Sequence, residues 1–323
     1  MSRLSCFSRP LRVVAFAAAL PVAAFAQDKP LEWVVGYAAG GGSDVVARTV
    51  AEPLRRSLER PVIVNNKPGA ATNIAAEYVA RSRDVGNVML TADFATLAAN
   101  PSLFKKLNYS AEKDLQPVGL LARFPLVLVV GTDVPVKDYK EFVAWAKAQA
   151  NGVTYASAGL GSPHHLAGEL LRERSGLPLI HVPYKGAAPA IQDVVGGQVA
   201  AMLVDTASGL QFIESGKMKP IAVASAARVR KLPNVPTLIE SGVSSFEAYA
   251  WQGVAVPAGT PREVIDRLSK SLFAALSSAE VKGKLEGLGL EVTPSTPEQM
   301  AAYARTERER WGKLIRDNKI TLE

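Results

Sequence analysis

Two short glycine-rich runs carry the residue types best suited to gripping an anion. Gly40-Gly41-Gly42-Ser43-Asp44 and Gly159-Leu160-Gly161-Ser162-Pro163-His164 each follow a strand-like run and open a helix-like one, in opposite halves of the chain. A helix N-terminus leaves several backbone N–H groups unpaired and carries about half a positive charge, so it suits a carboxylate or phosphate. Glycine lets the ligand approach that backbone closely. Two such loops imply one anion held from two sides. Neither is a nucleotide motif: the sixth position counted from Gly40 is Val45, no cofactor acid is evident about 20 residues on, and no Gly-Lys-Ser/Thr ending follows.

Simpler roles compete with this one. Ser43 or Asp44 would also serve as an ordinary helix cap, although three consecutive glycines exceed what a cap needs. Ser157 and Ser162 can each donate a hydroxyl, and Pro163 sits at a first helical turn, where its missing N–H costs nothing. A hydrolase would use Ser162 as nucleophile with His164 or His165 as base. Against it, the run is not a G-x-S-x-G elbow, and residues so close in sequence rarely present triad geometry. His181 is the only other histidine, no cysteine remains in the expected mature chain and no H-E-x-x-H spacing exists, which argues against a zinc centre and leaves no cofactor to expect. Asp205, after the apolar Met202-Leu203-Val204, either accepts from a ligand ammonium or hydroxyl or caps the helix that follows, and Lys185 lies on a turn after a strand.

The elements that must position these residues alternate. Residues 1–26 read as a cleavable signal peptide, with Arg3, Arg9 and Arg12 ahead of an apolar stretch that closes on Ala24-Phe25-Ala26. That stretch is too short to span a bilayer. Its removal takes the single cysteine, Cys6, and three arginines, lowering the formal charge from +7 to +4 and leaving no thiol chemistry. The expected mature chain is exported, mildly basic and about 297 residues long, enough for two domains with full cores. Strands at 31–37, 62–65 and 88–91 enclose helices at 44–58 and 72–81, the βαβαβ pattern of an open parallel sheet. After an apolar strand at 126–130 the rhythm restarts, with helices at 136–150, 164–175 and 187–195 and strands at 153–157, 180–183 and 200–204. A strand at 253–256, a helix from Pro261 and a charged helix at 297–318 complete the chain and are expected to return to the first lobe. Ligands of open α/β sheets bind outside the carboxyl ends of the strands, where both glycine loops fall. Arg305-Thr306-Glu307-Arg308-Glu309-Arg310 mixes signs at i, i+4 spacing and reads as a solvated helix face. Export, modest charge and the lack of a basic stripe disfavour nucleic-acid binding.

Motifs along the whole mature length are similar to the Bug-type extracytoplasmic solute receptors of tripartite tricarboxylate transporters. The match rests on the first glycine loop with Asp44 and Arg48, on Val64-Asn65-Asn66-Lys67-Pro68-Gly69-Ala70 with Asn73-Ile74, and on Asn100-Pro101-Ser102-Leu103. It continues through Ser157 to His165, Leu166-Ala167-Gly168-Glu169, His181 to Gly186, Gly196-Gly197 to Asp205, Pro233-Asn234-Val235-Pro236-Thr237, Trp251-Gln252-Gly253 and Pro257-Ala258-Gly259-Thr260-Pro261. The resemblance implies an α/β periplasmic binding protein fold of type II, a Venus flytrap with its cleft between lobes 27–124 plus 252–323 and 125–251. It implies a non-enzymatic receptor whose ligand is a small carboxylate: a di- or tricarboxylate, an aromatic acid or an amino acid. The implied contacts are Gly41, Gly42, Ser43 and Asp44 from one lobe and Ser157, Gly161, Ser162, His165 and Asp205 from the other. Permease subunits in the membrane are the implied partner, and a monomer is the default for a protein that opens and closes. One departure bears on the ligand's far end: Asp93-Phe94-Ala95-Thr96 stands where the family carries a small-residue loop. A ligand sensor for a membrane kinase, or a hydrolase using the same cleft, are the competing readings.

Overall fold

The computed structural model describes residues 29–322; the expected signal peptide lies outside the described residues. The first βαβαβ unit is formed by β1 (Leu31–Val35), α1 (Gly42–Leu58), β2 (Val62–Asn66), α2 (Asn73–Ala80) and β3 (Val88–Asp93), with β1 parallel to both neighbours. The helix expected at 72–81 begins only at Asn73, because Gly69, Ala70, Ala71 and Thr72 all hold positive φ (128°, 48°, 50° and 73°). A π-helical turn (Ala95–Ala99) follows β3, then α3 (Asn100–Leu103) and β4 (Leu115–Gly131). The second unit comprises α4 (Tyr139–Ala148), β5 (Val153–Ser157), α5 (Pro163–Ser175), β6 (Leu179–Pro183), α6 (Ala187–Val195) and β7 (Ala201–Asp205), with β5 parallel to β6 and β7. Then come α7 (Thr206–Glu214), β8 (Met218–Val223), β9 (Tyr249–Pro257), α8 (Arg262–Ser277), α9 (Ala279–Gly287), β10 (Glu291–Val292) and α10 (Pro297–Asp317).

β4 joins the two lobes. Over Leu115–Pro125 it pairs antiparallel with β9, whose other edge lies on β3; from Leu126 onward it pairs with β7 and β8. Sequence reading catches only its last third, since Pro117, Gly119 and Pro125 look like breakers. The strand tolerates Pro117 and Gly119 through the register shift between them, with a second shift at Leu120/Ala122, the usual place for proline and glycine in a strand.

Burial on one face of the first sheet explains why α1 and α8 form. Val46, Val50 and Leu54 of α1 and Leu268 and Leu272 of α8 pack on Trp33, Met89, Val254 and Val256. Such side chains each contribute about 1.5–3 kcal/mol when fully buried. α10 covers the other face, where Trp311 meets Phe94 edge to face at 5.4 Å. The charged run on α10 is not wholly a solvated face: Glu307 is buried and its Oε2 accepts from the indole N–H groups of Trp251 (3.1 Å) and Trp311 (3.0 Å). Two inward tryptophans need an acceptor in an apolar layer, and mixed-sign spacing alone does not reveal that demand.

Candidate functional site

The first loop leaves a helix N-terminus open. Gly41 takes the N-cap position of α1 in extended conformation (φ −75°, ψ 166°), and no side chain caps it. Gly40, at φ 82°, makes the preceding turn, which glycine tolerates without strain. Asp44 faces back into the loop: its Oδ2 accepts from the Gly40 N–H (2.8 Å) and Arg48 Nε (2.9 Å), and its Oδ1 from Asn66 Nδ2 (2.9 Å). Burial opposes ionisation of this carboxyl, yet the hydrogen bonds from Arg48, Gly40 and Asn66 outweigh it and hold the group below its ordinary range. Asp44 therefore tethers the glycines, with Asn66 bridging to the Tyr37 carbonyl (3.0 Å). Ser43 remains half-buried beside the open N-terminus.

The second loop is closed on itself. The Ser162 hydroxyl caps α5 by accepting from the His165 N–H (3.2 Å), and the Gly161 N–H donates to His165 Nδ1 (3.0 Å). His165 stacks on His181 at 3.8 Å, and Ser157 Oγ, fully buried, lies 2.6 Å from His181 Nε2. Beneath them Tyr155 donates to Glu169 (2.7 Å) and its ring lies where any side chain at Gly168 would go. Burial, with the nearby Arg172 charge, pushes His165 down to about 4; burial and the stacked His165 push His181 down to about 4 as well. Both rings are neutral at pH 7. The serine–histidine pair that a hydrolase would need at Ser162 does not form: His165 Nδ1 is occupied by a backbone N–H, the Ser162 hydroxyl meets the His165 backbone and not its ring, and His164 Nε2 lies on Asp205.

Asp205 does two jobs at once. It caps α7 through the Ser208 N–H (2.9 Å) and accepts from His164 Nε2 (3.0 Å). Burial raises its proton affinity, but His164 and Ser208 outweigh this and keep it ionised. The two lobes touch around these groups. A Cβ built on Gly42 would lie 3.4 Å from the Cβ of Ala207 and 3.5 Å from Phe124 Cε1. One on Gly161 would meet Leu103 Cδ1 at 2.4 Å, and Thr206 Oγ1 donates to the Gly289 carbonyl at 2.9 Å. Gly41, Gly42 and Ser43 thus stand at the boundary, whereas Asp44, Ser157, His165 and Asp205 hold the loops in place. Sequence reasoning weighs His164 only as a hydrolase base and gives Asn66 and His181 no binding role, although all three lie inside the motif runs. No group of three or more metal-ligating side chains occurs among the described residues.

Comparison with known proteins agrees with this architecture. The model of the tripartite tricarboxylate transporter family receptor matches residues 46–320. The protein BugT of Bordetella pertussis is 34% identical over 296 residues, 91% of each chain. The structure of the periplasmic binding protein BugD superposes with a TM-score of 0.82 and 36% identity, covering 92% of this chain and 99% of that one. The R. palustris protein Rpa4515, solved with adipate, gives 0.84 and 30% identity over 90% and 97% of the two chains. These relatives share the two-lobed periplasmic binding protein fold, as the motif order implies. The chain belongs to the family of tripartite tricarboxylate transporter receptors, which are solute-binding proteins and not enzymes.

Proposed function

We propose that this protein is a periplasmic receptor that closes its lobes, 27–124 with 252–323 and 125–251, on one carboxylated metabolite and passes it to permease subunits in the membrane. The observation that carries the reading is the uncapped N-terminus of α1, whose Gly42 abuts Ala207 of the opposite lobe. Backbone N–H groups at Gly42 and Ser43, with the Ser43 hydroxyl, hold one carboxylate from the first lobe. The second lobe contributes the dipole of α5, the Ser162 hydroxyl and the rim at Gly161, while Asp44, Ser157, His165 and Asp205 fix both loops. A single chain suffices, since every loop comes from one polypeptide. Adipate in the similar R. palustris protein is a carboxylate, which favours the same chemistry here.

The energetics allow it without an arginine clamp. Charge-assisted hydrogen bonds are worth about 1.5–3 kcal/mol each, so four or five supply about 6–15 kcal/mol gross. Association costs about 4 kcal/mol or more, which leaves room for the roughly 8 kcal/mol of micromolar binding. Isothermal titration of protein that has been unfolded, dialysed and refolded tests the reading. One-to-one binding of a small carboxylate, weakened about tenfold or more in Gly42→Val with an unchanged melting temperature, is expected. Equal affinity in the variant would place the ligand elsewhere.

A further inference from the structure

Gln252 is 1% exposed, and neither its Oε1 nor its Nε2 has a hydrogen-bond partner. An orphaned buried polar atom costs about 1–3 kcal/mol. Among the described residues Gln252 alone has two such side-chain atoms.

Its place in the sheet identifies its neighbours. β9 runs antiparallel to β3 with Asp93 directly opposite Gln252, so the two side chains rise from the same face. That face is the one α1 covers, because Val254 and Val256 of β9 and Met89 of β3 pack with Val46 and Val50. Asp93 ends β3 at its carboxyl edge; the Tyr37 hydroxyl donates to its Oδ2 and the Thr96 N–H to its Oδ1 (2.9 Å). Burial, then the neighbouring Asp93 and the Asp205 charge of the opposite lobe, raise the proton affinity of the Tyr37 hydroxyl, so it stays a donor. His164, which donates to Asp205, leaves its Nδ1 buried without a partner. Arg48, the cation of the first loop, is paired with Asp44.

We propose that Gln252, Asp93 and Tyr37 form a subsite that reads the ligand's second polar group, and that this group is a hydrogen-bond donor, an ammonium or hydroxyl. The proposal rests on the receptor reading above and deepens it: the preferred ligands are amino or hydroxy acids over their plain mono- and dicarboxylate counterparts. Asp93 and Gln252 Oε1 both accept, and Gln252 Nε2 is left to donate to an oxygen beside that ligand donor; a second carboxylate placed against Asp93 would set two like charges together where water is excluded. Burial already raises the proton affinity of Asp93, more than the Tyr37 and Thr96 hydrogen bonds lower it, and a ligand ammonium would relieve that cost.

The test is calorimetry on the stripped full-length mature protein with matched pairs: L-glutamate and glutarate, L-aspartate and succinate, L-malate and succinate, L-alanine and propionate. At least one donor-bearing member is expected to bind about tenfold or more tighter than its counterpart. Asp93→Asn and Gln252→Met should each cut that preference to about threefold or less, with the donor-bearing acid losing affinity. Gln252→Met replaces the orphaned amide by an apolar group of similar shape, so folding is retained. Counterparts bound as tightly as the donor-bearing acids, or a preference intact in both variants, would overturn the subsite and leave the receptor reading standing. Failure of every acid to bind would overturn the receptor reading and the subsite with it.

Discussion

Gly161 shows how much a single hydrogen atom decides here. It holds φ 74°, and a methyl group on it would strike Leu103 of the facing lobe at 2.4 Å. Gly161→Ala is expected to lower stability by about 1–2 kcal/mol through backbone strain and to weaken ligand binding about tenfold through the clash. Adding Leu103→Ala should recover the affinity but not the strain, a split that calorimetry and melting curves resolve. The stacked histidines beneath the loop give a pH signature. Both titrate near 4 in the fold, against 6.5 in an unfolded chain. Below pH 6.5 the unfolded state therefore binds protons that the fold refuses, so stability is full above that pH and is lost as pH falls toward 4, by up to about 3 kcal/mol for each ring. Urea titrations at pH 7.5 and pH 5 check this, and equal midpoints would contradict it. The glycines were legible because their run length exceeds what a cap requires. The inward turn of Asp44 was not, since a cap, a tether and a ligand contact use the same residue at the same spacing.

Elements were legible wherever one periodicity ruled from end to end. The α1, α5 and α6 helices and the short parallel strands fall within a residue or two of their expected positions. β4 does not, because its first eleven residues carry prolines and glycine at bulges whose compensation comes from β9, far away in sequence. α10 was visible as a helix while its attachment was hidden, because Glu307 finds its partners on β9 as well as on its own helix. Glu307→Leu leaves two buried indole N–H groups unpaired and is expected to cost about 2–4 kcal/mol in denaturant unfolding. Glu307→Gln, which keeps an acceptor, should cost clearly less. Equal effects of the two would mean that volume rather than hydrogen bonding sets the helix in place.

At the scale of the molecule, one long strand carries both sheets, and the lobes are latched at points remote from the glycine loops. Arg230 pairs with Glu286 at 2.7 Å and Arg172 with Asn318 at 3.0 Å, each joining the second lobe to the C-terminal helices of the first. These links are exposed, so Arg230→Ala should change affinity by less than about 1 kcal/mol. The account's central claim is that the N-terminus of α1 grips a carboxylate against the opposite lobe. The most direct measurement is the backbone amide spectrum of isotopically labelled, ligand-stripped protein, recorded with and without the carboxylate that calorimetry finds tightest. The Gly42 and Ser43 amide resonances are expected to move together with those of Gly161 and Ala207 as the lobes close on the ligand. Saturation that leaves Gly42 and Ser43 unmoved would contradict the account.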